Sequence, residues 1–208
     1  MGLRNRVDPF GDIHSVAARG TLTGNRGAIH DPATQTLNRR WTTKAWICCA
    51  LDWKGKNRDP MGVNTESGGP GWTALFFLDE ATALAAGHRP CFACRREAAT
   101  RYFACLDAEF GHRPKAAEVD ARLHSERLAA GAKPKPLSPI DLPGLPDGTM
   151  VASGGRPFLL RERRALPWSF LGYGAPVALS DLMRSAVTLV TPVTSVKALR
   201  SGYKLAAG

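Results

Sequence analysis

Leu75-Phe76-Phe77-Leu78-Asp79-Glu80-Ala81-Thr82-Ala83-Leu84-Ala85-Ala86-Gly87-His88-Arg89-Pro90-Cys91-Phe92-Ala93-Cys94 is the stretch on which the fold turns. Its first residues are apolar and read as the end of a strand over 72–78. Asp79 has the short acceptor side chain that caps a helix, and Gly87 stands where a left-handed residue closes one, so 80–86 is a short Ala-rich helix. The next residues make a tight turn with two thiols. A second helix follows over 95–110, with Ala99, Tyr102, Phe103, Leu106 and Phe110 on one apolar stripe.

Upstream, Ala45-Trp46-Ile47-Cys48-Cys49-Ala50-Leu51-Asp52-Trp53 is a near-continuous apolar run. It is expected to be a strand buried on both faces, placed to pair with 72–78. Gly24-Asn25-Arg26-Gly27 reads as a hairpin turn and lacks a Walker pattern. Downstream, a third helix is expected over 116–130, with Val119 and Leu123 inward. Five prolines between 132 and 148 predict an extended linker. Short strands are expected at 150–152, 157–160, 168–173 and 187–190, and a last helix at 194–201 before Gly202.

The chain has 208 residues, enough for a substantial core, and a formal net charge of +10. Residues 1–59 carry ten basic against five acidic side chains, and 149–208 carry eight against two; 106–131 is close to neutral. Two basic flanks around a neutral helical centre point to an anionic partner, with nucleic acid, and DNA in particular, first. An acidic protein partner is the other reading. No apolar run approaches the ~20 residues of a membrane span. Met1-Gly2-Leu3-Arg4-Asn5-Arg6 has no signal h-region, so a cytoplasmic protein without a membrane partner is expected.

Five cysteines in such a chain are read as metal ligands or reactive thiols before disulfides. Cys91-x-x-Cys94 at a helix start lets one turn present two sulfurs to a tetrahedral zinc ion. The helix N-terminus favours thiolate. A redox pair or an inert buried pair are the alternatives, although no thioredoxin-like βαβ pattern surrounds the motif.

Residues 75–94 resemble the second half of the Ada-type zinc-binding domain, a module that repairs DNA methylphosphotriesters. There a strand and an Ala-rich helix lead into a Gly-x-Arg-Pro-Cys-x-x-Cys turn. The resemblance implies zinc on four cysteines, one of the first pair accepting the methyl group. Cys91 and Cys94 match the second pair, and the first pair, spaced Cys-x-x-x-Cys, is absent. Over its whole length the chain is also similar to a group of bacterial proteins, a likeness that implies no activity.

Adjacent Cys48 and Cys49 point to opposite faces of a strand, so one of them reaches the metal. A zinc set into the core takes Cys49, which shares its face with Ile47, Leu51 and Trp53. His30 is the first choice for a fourth ligand, with His88 or water as alternatives. A histidine would close the site as a structural staple, and water would leave it open to chemistry. The expected fold class is therefore α+β: a small zinc-stabilised strand–helix core over 1–131, the linker 132–148, and a β-rich C-terminal unit over 149–208.

Asp120, His124 and Arg127 fall at i, i+4 and i+7 of the third helix. Asp120 orienting His124 as a base, with Arg127 on a phosphate, would suit phosphodiester cleavage, making Asp120 and His124 candidate catalytic residues. The same set also suits a solvated polar face. Candidate nucleic-acid contacts are Arg39, Arg40, Lys54 and Lys56 near Trp41, Trp46, Trp53 and Trp72, and Arg161, Arg163 and Arg164 near Trp168.

Overall fold

In the computed structural model, which describes residues 3–52, 54–55 and 59–206, the Ala-rich helix α1 (Glu80–Ala85) lies at the junction of three cores. Asp79 accepts hydrogen bonds from Thr82 N (2.8 Å) and Thr82 Oγ1 (2.7 Å), and Gly87 is left-handed at φ +80°. Every residue of α1 is buried. Ala83 and Ala86 pack with Val7, Ile29, Leu75 and Phe77. Ala81 and Ala85 pack with Met150, Ala152 and Val190, and Leu84 joins a helical cluster with Tyr102 and Leu123. Six residues do not hold a helix alone in water, so packing from all sides supplies its stability. Alanine is what lets the neighbouring layers approach this closely.

The first sheet contains β1 (Arg6–Val7), β2 (Ile13–His14) and β3 (Leu22–Asn25), followed after a small hairpin of β4 (His30–Asp31) and β5 (Thr36–Leu37) by β6 (Ile47–Ala50), β7 (Leu75–Phe77) and β8 (Arg89–Pro90). Its order is β2-β1-β7-β3-β6-β8. The two apolar strands expected to pair do not touch as neighbours: β3 lies between β6 and β7, antiparallel to both. Leu22-Thr23-Gly24-Asn25 carries no apolar alternation, which hides it in the sequence. Gly24 permits the close approach, since a Cβ there would stand 2.2 Å from Ile47 O. Nor is β6 buried on both faces. Cys48 is buried, whereas Ile47, Cys49 and Ala50 are half-buried and Leu51 is exposed.

The expected helix 95–110 is broken at Cys105–Leu106 into α2 (Arg96–Ala104) and α3 (Asp107–Phe110). The third helix, α4 (Ala116–Glu126), stops short of 130 and continues as a 3-10 turn, Leu128–Ala130. The proline-rich tract is not an open tether. It supplies β9 (Lys135–Leu137), an edge strand, and buries Leu142.

After it come β10 (Met150–Ser153), β11 (Arg156–Arg161), β12 (Arg164–Ser169), β13 (Gly172–Tyr173), β14 (Val177–Ala178), α5 (Leu179–Leu182), β15 (Val187–Leu189) and α6 (Val193–Arg200). The second sheet is antiparallel, in the order β13-β12-β11-β10-β15-β9, with β14 on β12. Helix α6 returns to the first part of the chain. Ala198, Leu199 and Tyr203 pack with Tyr102, Phe103 and Val119, and Tyr102 Oη is 2.9 Å from Ser195 Oγ. The fold is α+β, and its C-terminal strands share a core with the N-terminal part. No helix among the described residues is long and apolar enough to cross a membrane.

Candidate metal centre

Strands β6 and β8 run parallel, with Ile47 opposite Arg89 and Cys48 opposite Pro90. One step further along that register puts Cys49 beside Cys91, and Cys91 N donates to Cys48 O at 3.0 Å. The turn after β8 then folds back, Arg95 N bonding to Cys91 O at 2.9 Å, which presents Cys94 to the same place. The Sγ atoms of Cys49, Cys91 and Cys94 all lie within 4.8 Å of one another. Three sulfurs at that spacing, from two strand ends and a turn, can hold a metal ion.

The three thiols are shifted in opposite directions. Cys91 is drawn down to about 5, first by the hydrogen bond it accepts from the Cys49 thiol; backbone N–H groups of Cys94 and Ala93 add to this against its burial. Cys49 is pushed up, first by that donated bond and then by desolvation. Cys94 is pushed up by desolvation and by the neighbouring Cys91. A cation would replace those shared protons and let all three ionise.

Cys49 is the thiol in the cluster, but for the opposite reason to the one the strand faces suggested. The core side of β6 belongs to Cys48, which is buried with Leu75 and Phe77. Burial pushes Cys48 up to about 12, and Arg95 Nη1 donates to its Sγ at 3.1 Å. Arg95 also pairs with buried Glu80 at 2.8 Å, and Glu80 takes Tyr203 Oη–H at 2.6 Å. This chain of contacts fixes the turn from behind.

His30 does not complete the site. Its Nδ1 lies 2.6 Å from Thr73 Oγ1 and its Nε2 3.2 Å from Gly62 O, so both ring nitrogens are engaged in pinning loops. His88 is buried beside Trp46 and Phe77, its Nε2 accepting from Arg26 Nε–H at 3.2 Å. Among the described residues no fourth histidine, cysteine or carboxylate joins the three thiols.

The candidate catalytic pair comes apart. Asp120 is buried and receives Arg89 through two bonds, Nε and Nη2 each at 2.8 Å, which ties α4 to β8. His124 instead lies edge-on to Trp41 and Trp46, its Nδ1 3.3 Å from Arg127 Nη1. Arg127 is buried against Trp46 and donates to Gly87 O and Lys44 O. Asp120 and Arg127 are buried and His124 half-buried, so these three act as a clamp between α4 and the first sheet and are not a solvated face. Arg127 lies just beyond α4 in extended backbone, so helical spacing does not place it, and tertiary packing sets the partner each of the three takes.

Arg39, Arg40 and Lys54 are exposed, and Arg40 donates to Ala129 O at 3.4 Å. Lys56 and Trp53 lie outside the described residues. Arg161, Arg163 and Arg164 surround the tight β11–β12 turn and are all exposed; Glu162 and Arg163 are left-handed there, and Arg164 is braced by Val177 O and Pro176 O. Trp168 does not stand open beside them. Its indole donates to Thr82 Oγ1 at 3.0 Å and packs on Phe170. Trp46 is fully buried, whereas Trp72 is 61% exposed. No protein-family model matches the chain, and no curated protein or solved structure matches it either.

Proposed function

We propose that this chain is a cytoplasmic zinc protein that binds nucleic acid, with DNA the expected form. The observation that carries the reading is the convergence of Cys49, Cys91 and Cys94. An all-thiol donor set at a helix start suits zinc over harder cations. The net charge of +10 and the exposed arginines at 39, 40, 161, 163 and 164 support an anionic polymer as partner. Elemental analysis joined to a DNA titration on the same sample tests both halves, with one zinc per chain expected. With about five to seven phosphate contacts, affinity should fall several hundred-fold or more between ~50 and ~200 mM salt. Changing Arg161, Arg163 and Arg164 together to Ala should flatten that slope. A zinc-loaded protein with no affinity for duplex or single strands at low salt would leave an acidic protein as the partner to seek.

A second reading is favoured by the three-thiol set, which leaves a fourth zinc position for a non-protein ligand. Zinc-bound thiolates stay nucleophilic, as the resemblance to the Ada-type module would require. One sulfur would attack the methyl carbon of a methylphosphotriester, forming S–C as C–O breaks and leaving a phosphodiester anion. Label transferred from such DNA to the protein, and lost in Cys91→Ser, would support it. The nuclease alternative gains no support from this pairing, since Asp120 is engaged by Arg89 and His124 lies against Arg127.

A further inference from the structure

Arg26, the residue after β3, is 1% exposed. Its guanidinium lies over Trp46 at 3.9 Å, and its Nε–H is committed to His88. Its Nη2 is buried without a hydrogen-bond partner, and no carboxylate among the described residues lies within ion-pair distance of it. The nearby Asp8 is taken by His14 at 2.8 Å. Burial draws Arg26 down to about 9 and Arg127 adds to this, while Asp12 and Asp8 act against it from beyond ion-pair distance; the Trp46 face and His88 satisfy part of the guanidinium and leave Nη2 without a partner.

Arg26 forms the inner wall of a cleft of about 360 Å³ also lined by Arg4, Arg39 and Arg40, with Asp12 the lining carboxylate. Gly11, at φ +89°, keeps this wall bare: a Cβ there would stand 3.4 Å from Arg26 Nη2 and 2.8 Å from Ala129 Cβ. We infer that the cleft binds a phosphate monoester, presented by a free mononucleotide or by the terminal phosphate of a strand. Guanidinium forks match phosphate oxygens in pairs, and a dianion would compensate the buried Arg26 while the exposed Arg39 and Arg40 close over it. The volume admits a phosphate with its sugar.

The cleft shares Arg39 and Arg40 with the proposed nucleic-acid surface and deepens that reading without using the zinc site. Calorimetric titrations at constant ionic strength with inorganic phosphate, AMP, and one short oligonucleotide with or without a terminal phosphate test it. Saturable binding of phosphate and AMP is expected. Arg39→Ala with Arg40→Ala should weaken AMP by about tenfold or more at an unchanged melting temperature. A preference of about tenfold or more for the phosphorylated strand assigns the strand terminus, and equal strand affinities with tight AMP binding assign the free nucleotide. Arg26→Gln should abolish binding, and the exposed double variant decides the matter if that buried change prevents folding. No saturable binding of phosphate or AMP, or AMP binding unaltered in the double variant, overturns the inference. AMP bound with no affinity for either strand would overturn the nucleic-acid reading alone.

Discussion

The parallel pair of β6 and β8 carries opposite chemistries at its two ends. Trp46 and His88 precede the strands, and there Arg26 and Arg127 bring two buried guanidiniums onto one indole, at 3.9 and 4.4 Å. Cys49, late in β6, and Cys91, just after β8, lie at the other end, where Cys94 joins them. Between the ends, Arg89 meets Asp120 and the charges cancel inside the protein. A compensated buried ion is architecture. Uncompensated groups of one kind gathered at each end instead call for something from outside, a cation for the thiols and an anion near Arg26.

The largest effect belongs to the thiol end. Cys91→Ser should remove the metal and lower the melting temperature markedly, because binding free energy of a structural zinc, about 10–16 kcal/mol in small zinc peptides, becomes folding free energy. A chelator should reproduce the loss in the unmodified protein. A metal-free native preparation with the same melting temperature would remove one side of the comparison.

Next comes the compensated middle. Asp120→Ala leaves the Arg89 charge buried without a partner, and urea denaturation should record a loss of about 3–5 kcal/mol. Arg26→Met should cost clearly less, since it deletes a charge that has no carboxylate partner. Equal losses in the two variants would mean that Arg26 is stabilised as fully as Arg89, and the distinction between the strand ends would fail.

These two regions were unequally legible in the sequence. Cys91-x-x-Cys94, the Asp79 cap and Gly87 are local signals, so the turn and α1 could be placed from neighbouring residues alone. Strand alternation reaches Cys49 but not its face, because the side of β6 that is covered depends on what packs over the sheet, and Ala83 and Ala86 of α1 lie with Cys48. Arg26 was harder still. An arginine between glycines reads as a solvated turn, and its burial depends on Trp46 and His88, distant in sequence. Asp120 shows the same limit, since helical spacing reports a shared face and not the strand residue that will occupy it.

The cationic end also sets a pH response. Burial, followed by Arg26 and Arg127, holds His88 well below its ordinary value of 6.5. The unfolded chain takes up a proton near that value and the native chain does not. Stability from this group is therefore complete above about pH 6.5 and falls by about 1.4 kcal/mol per pH unit as the pH drops below it. His88→Gln keeps an acceptor for Arg26 and cannot titrate. The stability gap between the two proteins should be constant above that pH and narrow below it, a difference in which any common loss of metal cancels. A gap independent of pH would show that His88 titrates alike in both states.

The smallest effect is expected at Cys105, which tests whether thiols count by place or by type. It follows α2 directly, close in sequence to the metal turn, yet it packs against the helical cluster of Tyr102 and Leu106, with Sγ 3.5 Å from Ser201 O. It is half-buried, and its pKa is raised by that burial, so it remains a thiol where the cluster forms thiolate. Cys105→Ala should leave the metal content unchanged and cost about 1 kcal/mol or less in packing. Metal content and urea midpoint measured on one preparation check both parts. Loss of the metal in this variant would place a fourth thiol in the site and turn an open centre into a closed structural one.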